Sequence, residues 1–163
     1  MAGKPGASKR IHAAVAFERL GGPLAWVEQG DPVDLALEAT SVKEGLQVSG
    51  RVAGRLHLNC SRCLAAFEQA FEREIDETFY FEPQRAAETE GYLIHEMKID
   101  LEPMLRDVIV LSMPLNPLHS GDCLGLCAVC GADRNAGDCG HNRAPEDLRW
   151  APLRNILSNN QET

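Results

Sequence analysis

Along residues 46–81 apolar side chains recur at every second position. Leu46, Val48, Val52, Leu56 and Leu58 share one parity. Beyond a short cysteine-bearing break, Phe67, Phe71, Ile75, Phe79 and Phe81 share one parity as well. A period of two is that of a strand with one buried face. The stretch predicts an antiparallel hairpin with Cys60 to Cys63 at its tip. Setting Leu56 against Phe67, Val52 against Phe71 and Val48 against Ile75 lines apolar pairs along one face. The same register sets Arg55 against Glu68 and Arg51 against Glu72 on the other. Both kinds of pair stabilise cross-strand neighbours, and a one-residue slip loses both. Gly50 and Gly54 fall on the apolar face, where close backbone approach or a bend is expected.

The flanking segments are shorter. VDLALEA, from Val33, alternates weakly and reads as a strand, whereas LGGPLAWVEQGDP, from Leu20, reads as a loop. PQRAAETEG, from Pro83, is a polar loop, and YLIHEMKIDL, from Tyr92, is another strand candidate. Leu101, Met104, Leu105, Val108 and Ile109 follow the helical spacing i, i+3, i+4, i+7, i+8. They predict a helix over residues 101–113, capped by Asp100, with Pro103 in its first turn and Pro114 and Pro117 ending it. PEDLRWAPLRNIL, from Pro145, reads as a short docking helix that turns Trp150, Leu153 and Ile156 or Leu157 inward. The expected fold is α+β: an antiparallel β-sheet or partly open barrel with a long central hairpin, one packed helix and a C-terminal zinc-knuckle segment. Residues 1–10 are expected to form a flexible basic arm, 11–118 the β-rich core, and 119–163 the C-terminal segment.

Composition narrows the function. The chain has 163 residues, 44% hydrophobic and 25% charged, as in an ordinary soluble globular domain. It contains no apolar run long enough to span a membrane. MAGKPGASKR lacks the apolar core of a secretory signal, so the expected compartment is the cytoplasm, where thiols stay reduced. The net charge of −8 disfavours sequence-independent binding to nucleic acid. Eleven acids against four Lys and Arg fall between Cys60 and Glu102. That segment is either a solvated face or a surface for a basic partner.

Six cysteines in such a chain favour metal or redox work over disulfides. Cys60-x2-Cys63 and Cys127-x2-Cys130 both have zinc-knuckle spacing, which lets two thiolates reach one ion from a tight turn. With Cys123, Cys139, His119 and His141 they make eight candidate ligands, enough for two four-coordinate sites. The preferred partition gives Cys60, Cys63, His119 and Cys123 one zinc ion and Cys127, Cys130, Cys139 and His141 a second. The alternative is a single ion held by Cys60, Cys63, Cys127 and Cys130. A dithiol redox centre usually opens a helix in a thioredoxin-like fold, and a hairpin is expected here instead. His12, His57 and His95 read as ordinary strand positions. No HExxH, HxE…PCxxC, GxSxG or glycine-rich phosphate loop is present. The chain therefore does not read as an enzyme, and no small-molecule substrate or membrane is expected as a partner.

LNCSRCLAAFE, then IDLEPMLRDVIVLSMPLNPLH, then DCLGLCAVCGADRNAGDCGH and RWAPLRNIL resemble the YceD family, the large ribosomal RNA subunit accumulation proteins of bacteria and plastids. The resemblance runs from about Val33 to Leu157. Cys60 and Cys63 match its most widespread cysteine motif. Cys123, Cys127, Cys130 and Cys139 match the richer C-terminal cluster of some branches, and His119 stands where a cysteine is expected. The resemblance implies a non-enzymatic ribosome biogenesis factor with large-subunit ribosomal precursors as its partner, through ribosomal RNA or a basic ribosomal protein. Arg51, Arg55, His57 and Arg62 are the candidates for RNA contact. The competing expectations are a zinc-ribbon adaptor linked to transcription and a CxxC thiol redox protein.

Overall fold

The computed structural model describes residues 6–141. The chain divides into two compact units, Met1–Ser61 with Ala65–His119 and Arg62–Leu64 with Ser120–Thr163. The docking helix expected after Pro145 lies outside the described residues.

The first unit runs β1 (Ser8–Ala16), β2 (Leu20–Gly21), β3 (Ala25–Val27), β4 (Pro32–Val42), β5 (Gly45–Asn59), β6 (Ala66–Tyr80), α1 (Pro83–Glu88), β7 (Tyr92–Leu93) and α2 (Glu102–Ser112). All seven strands join one sheet, in which β5 pairs with β6 on one side and with β4 and then β3 on the other. Every pairing is antiparallel except that of β6 with β7. The sheet does not close into a barrel: β1 pairs with β4 alone among the described strands.

Alternation builds the core. Val33, Leu35, Leu37 and Ala39 of β4, Val48, Val52, Leu56 and Leu58 of β5, and Phe71, Ile75 and Phe79 of β6 are all buried. Helix α2 packs against β2 and β6 and adds Met104, Leu105 and Ile109 to the same cluster. Asp100 accepts from the Glu102 amide at 3.0 Å and so serves the first turn of the helix.

The hairpin register differs from the expected one by two residues. Leu58, not Leu56, lies across from Phe67, Gly54 from Phe71 and Gly50 from Ile75. A two-residue shift keeps every side chain on its face, so the alternation could not detect it. The tip decides it. The Cys60 amide donates to the Ala65 carbonyl at 2.9 Å, which leaves a longer loop than a turn closed at Cys63. The shift also places glycines opposite bulky residues: a Cβ on Gly54 would sit 2.8 Å from the Phe71 ring. Gly50 has a φ of +140° and no room for a Cβ against the Ala36 carbonyl of β4. Arg51 still reaches Glu72 at 2.8 Å and Arg55 reaches Glu68 at 3.2 Å, now as diagonal neighbours.

Four other expectations change. LGGPLAWVEQGDP carries β2 and β3, with Val27 fully buried. Its Gly and Pro marked turns correctly, but strands of two and three residues are too short to show a period. PQRAAETEG contains α1, begun by Pro83 in the first turn. YLIHEMKIDL yields only β7 and an isolated bridge between His95 and Lys98. Glu96 and Met97 take positive φ values of 46° and 62° there. Ser8, Lys9 and Arg10, at the end of the stretch read as a free arm, belong to β1. That strand is an edge, exposed at most of its positions, and carries little apolar patterning to betray it.

The second unit has little regular structure. Leu126 bridges to Asp133, and its amide donates to the Arg62 carbonyl at 3.0 Å. The Cys127 amide donates to Ala132 and the Gly131 amide back to Cys127, each at 2.8 Å, closing a tight turn. Gly125, with φ +73°, lets the chain pass against Arg62, whose carbonyl lies 3.0 Å from where a Cβ would stand.

Candidate metal centre

The tip loop turns its thiols inward. Cys60 is fully buried and Cys63 nearly so, while Leu64 adopts a positive φ of 63° and swings its own side chain out. The Ser61 amide donates to the Pro117 carbonyl at 2.8 Å. Cys123 follows a turn in which its amide donates to Ser120. Its carbonyl accepts from Arg62 Nη1 at 2.9 Å, and its sulfur accepts from Asn135 Nδ2 at 3.5 Å. Asn135 also takes the Leu124 amide on its Oδ1 at 2.8 Å.

Two groups of side chains of the types that can ligate metal result. Cys60, Cys63, His119 and Cys123 form one, and Cys127, Cys130, Cys139 and His141 form the other; within each, the candidate ligand atoms all lie within 4.8 Å of one another. The eight residues and their division into fours match the preferred partition. The grouping of Cys127 and Cys130 with Cys60 and Cys63 is not the one found. Either cluster could hold a metal ion. Three thiols and one imidazole make a donor set suited to tetrahedral zinc.

Local electrostatics fit that chemistry. Amides of Cys130 and then Val129 donate to the Cys127 sulfur, and they bring its thiol down to about 6. The Val129 contact is 3.4 Å. A thiol so depressed is largely thiolate at neutral pH, the form that binds metal. Burial separates the two clusters. Cys60, Cys63 and Cys123 are buried, whereas in the second only Cys127 is, with Cys130 exposed and Cys139 intermediate.

The candidate RNA-contacting residues are all engaged, Arg62 within the tip loop itself and the other three along β5. Arg51 and Arg55 pair with Glu72 and Glu68. His57 sits 2.7 Å from Asp31 and stacks on Trp26 at 5.8 Å between centroids. Arg62 is held by the Cys123 carbonyl. His12 is in β1 and His57 in β5, as ordinary strand positions. Asn135 went unnoticed in the sequence, although the Asp-x-Asn spacing of Asp133 and Asn135 is the signature of a side chain that caps its own loop.

The profile of the family described as large ribosomal RNA subunit accumulation protein YceD matches residues 48–157. The chain belongs to the YceD family. The match takes in the hairpin, α2 and both cysteine clusters. An uncharacterized protein of Mycobacterium tuberculosis is 34% identical over 166 residues, covering 98% of this chain and 79% of that one. One from Mycobacterium leprae is 32% identical, covering 95% and 73%. The chloroplastic large ribosomal RNA subunit accumulation protein YCED homolog 1 of Arabidopsis thaliana is 24% identical, covering 82% of this chain and 51% of its own. No solved structure matches this YceD-family chain. Among its described residues no helix is long and apolar enough to cross a membrane.

Proposed function

We propose that this chain is a non-enzymatic, cytoplasmic ribosome biogenesis factor that supports accumulation of large-subunit ribosomal RNA, acting as a zinc-stabilised scaffold that binds a basic ribosomal protein. The observation that carries the reading is the YceD match over the hairpin and both cysteine clusters. Its chloroplastic relative bears the name of a large ribosomal RNA subunit accumulation protein, and that role is carried here by family membership. Zinc in this reading performs no reaction; it cross-links its ligands and so contributes folding energy.

Charge favours protein over RNA as the direct partner. The net charge of −8 opposes a phosphate backbone and attracts a basic tail. Each of Arg51, Arg55, His57 and Arg62 already has an intramolecular partner. An RNA contact there would have to break one.

Co-sedimentation tests the role. The protein should travel with large-subunit precursors, and pre-stripping those precursors of ribosomal proteins should abolish the association. Recovery only in the free fraction would overturn the biogenesis reading. Retention on stripped RNA would transfer the contact from protein to RNA, and a pull-down dominated by polymerase subunits would favour a transcription-linked adaptor. Elemental analysis of protein purified in reductant should find about two zinc ions per chain. A metal-free, readily oxidised protein would instead favour dithiol chemistry.

A further inference from the structure

One long edge of the sheet carries no strand among the described residues. β1 pairs with β4 without interruption from Ser8 against Thr40 to Ala16 against Pro32, and no described strand pairs with its other side. At the entry to β1 the Ser41 amide donates to the Ala7 carbonyl at 2.9 Å. Successive residues of an antiparallel strand address opposite neighbours. Counting from Ala7, residues Lys9, Ile11, Ala13 and Val15 therefore turn their backbone groups to β4. Ser8, Arg10, His12, Ala14 and Ala16 turn theirs away from it.

Natural sheets blunt such edges with proline, a bulge, inward charge or brevity. From Ile11 to Ala16 this edge has none of the first three; the charges of the nine-residue strand, Lys9 and Arg10, are confined to its start. Ile11 and Val15, on the row that packs against the core, are only partly buried.

We propose that β1 is a self-association edge, to which a second copy of this chain adds its own β1 in antiparallel register about a two-fold axis at Ala13. A two-fold normal to the sheet pairs residues of equal parity. Centred on Ala13, it sets Ile11 against Val15 of the second copy, covering both half-exposed apolar side chains on one face. On the other face it sets His12 against Ala14 and Arg10 against Ala16, so no cation meets a cation. His12 and Ala14 are also residues whose backbone groups are available to make the new ladder. Centring on His12 instead would oppose the two imidazoles and leave Ile11 against alanine. This fit of the strand to itself selects a second copy as the occupant over an unrelated peptide.

Sedimentation equilibrium of the full chain across a wide concentration range tests the proposal. The unmodified protein should show a reversible monomer–dimer equilibrium. Ala14→Pro removes only an outward N–H from each copy, so two symmetry-related hydrogen bonds are lost and dimerisation should weaken by about tenfold or more, with the monomer still folded by circular dichroism. Ala13→Pro removes an N–H directed at β4 and should instead lower the melting temperature. If either proline variant fails to fold, cross-linking decides. The two copies of residue 13 form a non-hydrogen-bonded pair with Cβ atoms about 4.5–5.5 Å apart, so Ala13→Cys should give a chain-to-chain disulfide at that residue, located by peptide mass spectrometry. Ala16→Cys, facing Arg10, should not. A monomer at every concentration overturns the proposal, as does a dimer that Ala13→Cys fails to cross-link.

Discussion

The two units invert each other's use of apolar side chains. In the sheet unit most buried positions are valines, leucines, isoleucines and phenylalanines, the greater part of them on β3 to β6 and on α2. Among the described residues of the cysteine-rich unit the buried positions are Cys63, Cys123, Gly125 and Cys127, while Leu64, Leu124, Leu126 and Val129 are exposed. A segment that turns its thiols in and its aliphatic side chains out has no hydrophobic core among its described residues. Its order must come from backbone turns, from capping by Asn135 and Arg62, and from whatever gathers the thiols. That division teaches where a bound metal would matter. The sheet should keep its fold without metal, and the second unit should not.

Chelation is the largest test of this contrast. Metal binding to a structural zinc site is worth on the order of 10 kcal/mol, nearly all of it expressed as folding. Removing metal with a strong chelator should collapse the amide dispersion of residues 120–141 in a heteronuclear NMR spectrum while the β5 and β6 resonances stay dispersed. Cys127→Ser should do the same to its own cluster. Loss of the whole spectrum would mean that the sheet too depends on the metal.

Cavity formation in the sheet should show the opposite signature. Phe79 is buried at 1% exposure and stacks on Tyr92 with ring centroids 5.2 Å apart. Phe79→Ala should cost about 3–5 kcal/mol, read as a lowered denaturant midpoint, with the metal content per chain unchanged. A fall in metal content alongside would break the comparison.

How much of this was legible beforehand follows the same division. Candidate ligands are read from spacing, and each of the two groups of four side chains contains one Cys-x2-Cys turn, the part that local sequence sets. The long strands were legible because Val48, Val52, Phe71 and Phe79 repeat with a period of two. What escaped was short or edge-like. β2 and β3 are too brief to show a period, and β1 has exposed positions on both faces. The hairpin register escaped for a different reason. Alternation fixes the face but is blind to an even shift, and only the loop closed by Cys60 and Ala65 carries that information.

A smaller test concerns the polar tie between β7 and α2. The Tyr92 hydroxyl donates to Asp107 at 2.8 Å. Burial first, then this bond to a carboxylate, pushes the phenol's pKa well above the ordinary tyrosine range. A phenol whose pKa is raised in the folded state contributes stability fully present below its unfolded pKa and lost as pH rises beyond it. Tyr92→Phe should therefore cost about 1 kcal/mol at neutral pH and flatten the loss of stability on the alkaline side, measured by urea melts across pH. A variant that melts like the parent at every pH would show that the bond contributes nothing.

The smallest effect belongs to an ion pair that spans the hairpin. Arg51 lies directly across from Glu74 but is ion-paired with Glu72, its diagonal neighbour. Both side chains of the pair are more than half exposed, at 61% and 57%, so salt and solvent leave it about 0.2–1 kcal/mol. A double-mutant cycle of Arg51→Ala with Glu72→Ala should give a coupling in that range at low salt and less at high salt. The cycle with Glu74→Ala should give a smaller one. In the register that alternation alone suggests, Arg51 faces Glu72 squarely and Glu74 lies on the diagonal. Backbone hydrogen exchange separates the two registers independently, because protection at Cys60 requires the bond to Ala65 that the observed tip supplies. Strong coupling without protection at Cys60 would return the hairpin to the tighter turn, and with it move both tip thiols.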